Sequence, residues 1–253
     1  PTTHGGIDYA ELRKAGVSPE NVLDFSVSTN PYGAPPGIKE AVCQVHIDRY
    51  PDSESTELTQ TLAKKLNVSS ANLIIGSGST ELVRLAVTAY LEAGDVVIVP
   101  QHTYGDYEIA CRLVDAKVKR PLVSAESGFR LNVAAIAELI REQRPKVIFL
   151  CNPNNPTGQY LSKKEVKAIL SVAEDSLVIL DEAYIAFTEN TWLSLDLIRE
   201  GNLIILRSMT KDYALAGLRL GYAVAADSII TVLKRVRPPW NVSSVAQAAG
   251  IAA

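Results

Sequence analysis

Asn202-Leu203-Ile204-Ile205-Leu206-Arg207-Ser208-Met209-Thr210-Lys211 decides how this chain is read, together with Arg219 eight residues past the lysine. The apolar run 202–206 reads as a short buried strand. Where it ends, one amine, two hydroxyls and one guanidinium come within reach of a single phosphorylated carbonyl compound. A lysine that attacks a carbonyl must be a neutral amine, and a phosphate beside it needs fixed donors. Ligands of open α/β sheets bind at such strand ends. Taken alone, S-x-T-K is better read as a surface loop.

Three further strand ends change that weighing. Leu177-Val178-Ile179-Leu180 runs into Asp181-Glu182-Ala183-Tyr184, which supplies a carboxylate. Val147-Ile148-Phe149-Leu150 runs into Asn152-Pro153-Asn154-Asn155-Pro156-Thr157-Gly158, whose prolines and glycine stop the strand and set a turn carrying an amide. Leu73-Ile74-Ile75 runs into Gly76-Ser77-Gly78-Ser79-Thr80-Glu81 ahead of an amphipathic helix, an anion cradle of free N–H groups at the positive end of a helix dipole. Each signal is weak by itself: many nucleotide binders share such a glycine turn, and a lone aspartate is more often a helix cap. Together, phosphate cradle, amide, carboxylate and lysine match the demands of pyridoxal 5'-phosphate. A carboxylate keeps the pyridine nitrogen protonated, and the lysine holds the aldehyde and moves protons.

The chain resembles the aspartate-aminotransferase-like (fold type I) pyridoxal-phosphate enzymes, in the histidinol-phosphate aminotransferase and threonine-phosphate decarboxylase branch. The resemblance runs over essentially the whole chain. It rests on R-Y-P-D at 49–52, G-S-G-S-T-E at 76–81, H-T-Y-G-D-Y at 102–107, N-N-P-T-G at 154–158, D-E-A-Y at 181–184, S-M-T-K at 208–211 and G-L-R-L-G-Y at 217–222. It implies that Lys211 is the Schiff-base lysine, Asp181 the partner of the pyridinium nitrogen, and Asn155 and Tyr184 the donors to the ring's phenolic oxygen. The Ser79 and Thr80 amides, the Ser208 hydroxyl and the Arg219 guanidinium would hold the phosphate, where a planar fork can bind two oxygens at once. Tyr104 would stack on the ring, and Tyr50 would reach the phosphate site of a partner subunit, which implies a homodimer. For both tyrosines half-buried packing is the plainer alternative.

Composition excludes more than it assigns. With 47% hydrophobic residues in 253, the chain can bury a large core. A net charge of -3, with Lys and Arg scattered, leaves no footprint for nucleic acid or an acidic membrane surface. Three cysteines, Cys43, Cys111 and Cys151, have no metal or redox spacing and read as buried small hydrophobes in a reducing compartment. No apolar run approaches a membrane span and the start is no signal peptide, so a cytoplasmic enzyme without a metal is the economical reading. Helical periodicity at 57–66, 81–91, 107–114, 133–142, 164–173 and 229–236, alternating with short β-rich runs such as 95–99, predicts an α/β fold with a mostly parallel central sheet and helices on both faces. Residues 1–45 read as an arm with one short helix, 46–237 as the cofactor-binding domain, and 238–253 as the start of a smaller C-terminal domain. The resembling family carries its carboxylate-binding arginine there, so the rest of that domain is expected to be missing and no such arginine is named.

The substrate divides the two branches. The aminotransferases typically carry N-E-N-P-Y-G in the arm, whereas Thr29 stands in the glutamate position of Ser28-Thr29-Asn30-Pro31-Tyr32-Gly33. His4-Gly5-Gly6, Asp24-Phe25-Ser26 and Pro239-Trp240-Asn241-Val242 resemble the decarboxylases. The expectation is therefore an L-threonine-O-3-phosphate decarboxylase, with histidinol-phosphate aminotransferase as the alternative and His4 and Asn30 as substrate-binding candidates. A non-catalytic cofactor-binding module is disfavoured by the intact Lys211. A dinucleotide-binding protein is disfavoured because no third glycine follows Gly78 at the required spacing.

Overall fold

The computed structural model describes residues 5–253. Its centre is a seven-stranded sheet in the order β1-β7-β6-β5-β4-β2-β3. The strands are β1 (Leu73–Gly76), β2 (Val96–Ile98), β3 (Lys117–Lys119), β4 (Val147–Cys151), β5 (Leu177–Asp181), β6 (Leu203–Ser208) and β7 (Gly221–Ala225). The pairs β3·β2, β2·β4, β4·β5 and β5·β6 are parallel; β7 runs antiparallel between β6 and β1. The mostly parallel sheet is as expected. Strands β3 and β7 lie outside the runs the sequence marked.

Strands read as unbroken apolar runs because both faces of the sheet are covered. Side chains alternate between two cores: Ile148, Leu150, Val178, Leu180 and Ile205 join one, whereas Val147, Phe149, Ile179, Ile204 and Leu206 join the other. Each fully buried Ile, Leu or Val contributes about 1.5–3 kcal/mol. Truncating the buried Phe149 to Ala is the single change expected to damage this packing most, at about 3–5 kcal/mol.

The helices are α1 (Tyr9–Ala15), α2 (Ile38–Cys43), α3 (Thr56–Leu66), α4 (Ser79–Tyr90), α5 (Asp106–Arg112), α6 (Val133–Gln143), α7 (Lys163–Leu170), α8 (Asp227–Val236) and α9 (Ser244–Ala252). Their ends follow local chemistry. Asp8 caps α1 by accepting from the Ala10 and Glu11 amides, and Gly16 at φ 67° ends it. Ser162 and Glu165 form a capping box on α7. The N-terminus of α4 has no side-chain cap, so the N–H groups of its first turn remain for a ligand. The N-terminal arm holds a 3-10 turn, Pro19–Asn21, besides α1, and α2 packs against α9. Among the described residues, no helix is long and apolar enough to cross a membrane.

Candidate active site

The ends of β1, β4, β5 and β6 converge on an inner pocket of about 70 Å³ that opens into a cleft of about 1100 Å³. Thr80, Tyr104, Asn155, Tyr184, Lys211 and Arg219 line both. Ser79, Asp181 and Ser208 line the inner pocket, with Tyr107 and Cys151 beside them. The arm closes one side of the cleft through Gly5, Ser26, Val27, Ser28 and Thr29. Within the arm, the Gly6 amide donates to Ser26 Oγ at 2.7 Å.

Asp181 is 3% exposed. Its Oδ2 accepts from the Tyr107 hydroxyl at 2.8 Å and its Oδ1 from the Ala183 amide at 2.9 Å. Burial still holds its pKa above the usual carboxylate range, against those hydrogen bonds and the Lys211 charge. Such a carboxylate gains from a cationic N–H partner in the pocket. Lys211 is half-buried, with Nζ 5.6 Å from the Tyr184 ring centroid. Burial first, and then the Arg219 charge, lower its pKa, which raises the neutral fraction a carbonyl attack requires.

The anion cradle is built by close backbone approach. Gly78 sits at φ +81°, and a Cβ there would lie 2.8 Å from Arg219 Nη2. A Cβ on Gly221 would lie 2.8 Å from the Ser79 amide nitrogen and 2.9 Å from the Arg207 carbonyl oxygen, so this glycine lets β7 pass beneath the first turn of α4. Ser208 Oγ lies 2.7 Å from Thr210 Oγ1 and accepts from the Thr210 amide at 3.2 Å. Arg219 itself is exposed, at φ 56°, with Nη1 donating to the Ala216 carbonyl at 3.2 Å.

Tyr104 donates to Asp106 Oδ2 at 2.7 Å, and its oxygen lies 3.2 Å from Thr80 Oγ1. Burial chiefly pushes its pKa up to about 12, so it stays a neutral phenol. Its ring meets Tyr107 edge-on, and Tyr107 in turn stacks on Phe149 at 4.8 Å. Asn154 joins this loop to the Asn-Pro turn: its Nδ2 donates to the His102 carbonyl at 2.9 Å, and its Oδ1 accepts from Thr103 at 2.6 Å. Sequence reasoning missed Tyr107 and Asn154, although both stand inside motifs it had marked.

Asn30 and Tyr50 do not line this pocket. Asn30 is committed to the backbone around the lysine: its amide donates to the Lys211 carbonyl at 2.9 Å, its Nδ2 to the Asp212 carbonyl at 2.8 Å, and its Oδ1 accepts from the Tyr32 amide at 3.0 Å. Both polar ends of its side chain are therefore engaged. Tyr50 is 79% exposed and stacks on Trp240 at 4.5 Å, away from the cavity of its own chain. His4 lies outside the described residues. Asn241 braces the cradle, because its Nδ2 donates to Glu81 Oε2 at 2.8 Å, beside the start of α4.

The class I and II aminotransferase family matches residues 20–253. The chain belongs to that family. This aminotransferase-family chain is 39% identical over 249 residues to a histidinol-phosphate aminotransferase of Moorella thermoacetica, covering 95% of this chain and 63% of the relative. A solved histidinol-phosphate aminotransferase from Sinorhizobium meliloti, in complex with pyridoxal-5'-phosphate, superimposes with a TM-score of 0.84 at 26% identity, over 89% of this chain and 62% of that one. The L-threonine-O-3-phosphate decarboxylase of Porphyromonas gingivalis matches with a TM-score of 0.78 at 24% identity, over 90% of this chain and 68% of that one, a likeness of fold alone. The chain spans 64%, 67% and 63% of the lengths of three curated relatives.

The residues present fit pyridoxal 5'-phosphate. An uncapped helix start and glycine-lined cradle suit its phosphate, a buried acid suits a ring nitrogen, and a half-buried amine of lowered pKa suits its aldehyde.

Proposed function

We propose that this protein is a pyridoxal-phosphate-dependent aminotransferase acting on a phosphorylated amine, with histidinol phosphate as the best supported substrate. The observation that carries the reading is one pocket holding Lys211 and Asp181 beside the cradle of Ser79, Thr80, Ser208 and Arg219. When bound, the cofactor supplies an electron sink for the bonds of the substrate's α-carbon. The chain's own part is positional and protic. Asp181 would keep a proton on the ring nitrogen, and Asn155 and Tyr184 would donate to the phenolic oxygen. Tyr104 would pack on the ring. The Ser79 and Thr80 amides with Ser208 and Arg219 would bind the phosphate. Lys211 would attach the aldehyde and then carry a proton to and from the α-carbon.

Motifs of the arm and of residues 239–242 favoured a threonine-phosphate decarboxylase, and the relatives favour the alternative: the curated proteins this chain resembles at 31%, 34% and 39% identity are all named histidinol-phosphate aminotransferases. The decarboxylase remains a second reading on the motifs 4–6, 24–26 and 239–242 and on Thr29. Thr29 lines the cleft where the resembling aminotransferases carry glutamate. Incubation of the complete protein with histidinol phosphate and 2-oxoglutarate, and separately with O-phosphothreonine, decides between them. Glutamate formed from the first pair is expected. Carbon dioxide released only from the second would replace this reading with the decarboxylase.

A homodimer belongs to the proposal, with Tyr50 of each subunit serving the other's phosphate site; its exposure leaves it available for that role. A cytoplasmic setting is supported by three unpaired cysteines. Burial pushes the thiols of two of them, Cys111 and Cys151, up to about 12, so they are inert, whereas Cys43, expected to be buried, is exposed near the end of α2.

A further inference from the structure

The sheet carries a second ligand-sized cavity on its other face. Side chains alternate along a strand: Asp181 lines the pocket described above, while Glu182 and Arg207 line a neighbouring space of about 420 Å³, with Ala183 and Ser208 bordering both. That volume falls within the range of small-molecule sites.

Glu182 is 1% exposed. Its Oε2 is saturated, accepting from Arg207 Nε at 2.7 Å, Arg207 Nη2 at 2.6 Å and Ser194 Oγ at 2.9 Å. Its Oε1 has no partner, and neither does Oδ1 of Asp212, the residue after Lys211. Among the described residues these are the buried side-chain polar atoms left without one, and both residues line this one cavity. A buried acceptor with no donor keeps its full desolvation cost. Burial also raises the pKa of both acids in spite of Arg207, so the cations already present do not meet the demand.

The rest of the lining suits a cation as well. Trp192, Tyr213 and Tyr222 border the same space, and aromatic faces attract cations. The Trp192 indole N–H is spent on the Leu161 carbonyl at 2.9 Å. Lys65, exposed at the rim, already holds its Nζ 5.3 Å from the Tyr213 ring centroid. Leu62, Leu66 and Ile185 supply apolar wall.

We propose that this cavity binds a small organic cation bearing several N–H donors, an amidinium or a primary ammonium, with Glu182 Oε1 and Asp212 Oδ1 as its acceptors. The occupant would sit one residue from Lys211, behind the segment whose carbonyls Asn30 holds.

Calorimetric titration with benzamidine, and with benzamide as its uncharged counterpart, tests this. Pyridoxal 5'-phosphate is added in one series and omitted in the other, since binding here does not depend on the proposed activity. Benzamidine is expected to bind in both, with benzamide at least about tenfold weaker. Asp212→Asn should weaken benzamidine by about tenfold or more, and Glu174→Gln, an exposed acid elsewhere, should leave it unchanged. Lys65→Met, which leaves both buried acids in place, should tighten it by removing a competing cation. No binding at concentrations on the order of 10 mM, equal affinity for benzamide, or an Asp212→Asn protein with native affinity would each overturn the proposal. So would a Lys65→Met protein that binds more weakly, which would make Lys65 the cavity's own partner.

Discussion

Tyr107 donates its hydroxyl hydrogen to Asp181 at 2.8 Å, across a sequence separation of 74 residues. The donor is fully buried and stacked on Phe149, so the carboxylate is held by a phenol whose ring is fixed by packing. Tyr107→Phe should leave one buried carboxylate oxygen without a donor, at a stability cost of about 1–3 kcal/mol in urea denaturation. The lost hydrogen bond was lowering the pKa of Asp181, so its proton will persist to higher pH. The acid limb of the activity profile should therefore move upward; an unmoved limb would separate Tyr107 from the chemistry.

Lys211→Ala should retain the cofactor through Ser208, Arg219 and the α4 amides, yet without covalent attachment. Borohydride followed by denaturation should release cofactor from the variant and leave it fixed to the native chain. Turnover should fall by about 10²–10⁴-fold or more. Near-native turnover would remove Lys211 from its assigned role.

Arg219→Gln removes a charge that lowers the pKa of Lys211, although burial is the larger cause. The lysine should titrate at higher pH in the variant, and the pH at which cofactor attaches, followed by visible absorbance, should rise with it. Because the folded pKa lies below the ordinary lysine value, protonation of Lys211 opposes folding at and below that lowered pKa. The cofactor-free protein should therefore gain stability as pH rises from there toward the ordinary value. The gain should be smaller in Arg219→Gln.

Gly78→Ala places a methyl group against Arg219 Nη2 at a backbone φ of +81°. The guanidinium can swing away, so the steric cost is small, whereas the strained backbone costs on the order of 1 kcal/mol. Cofactor affinity is expected to drop by more than stability does, because the displaced group is the phosphate's guanidinium. Equal affinity by fluorescence titration would exclude Arg219 from phosphate binding.

Mixing Lys211→Ala with Tyr50→Ala subunits of the complete protein tests the shared site. Each mixed dimer would hold one site with both residues intact, so random exchange should restore about a quarter of native activity. No recovery in verified mixed dimers, with Tyr50→Ala alone severely impaired, would place Tyr50 in its own chain's site.

Much of this architecture was legible because strands covered on both faces are plain apolar runs, and because each functional group follows directly after one. Asp181 and Lys211 could be assigned to strand ends without any contact being known. What stayed hidden depends on contacts between distant segments. β7 is Gly-Tyr-Ala-Val-Ala, poor in β-branched residues, and it pairs on both sides only because Gly221 lets it beneath α4. β3 is three residues long with lysine at both ends, which reads as a polar loop. Tyr107 was read as part of a helix, and nothing local told its hydroxyl to seek Asp181. Asn30 looked like a substrate ligand because a polar residue on an arm does not reveal that backbone carbonyls will take up its amide.

The alternation that turns Asp181 toward the cofactor pocket, and Glu182 and Arg207 toward the second cavity, makes the length of these strands as consequential as their composition. Deleting or inserting one residue within β5 or β6 would exchange the occupants of the two faces. The buried acid of the cofactor pocket would trade places with the acid of the ion pair, or Ser208 with Arg207. Substitutions in these strands should therefore be graded in their effects, while single-residue insertions and deletions should abolish cofactor binding outright. Libraries aimed at this region should vary side chains and leave the count of residues alone.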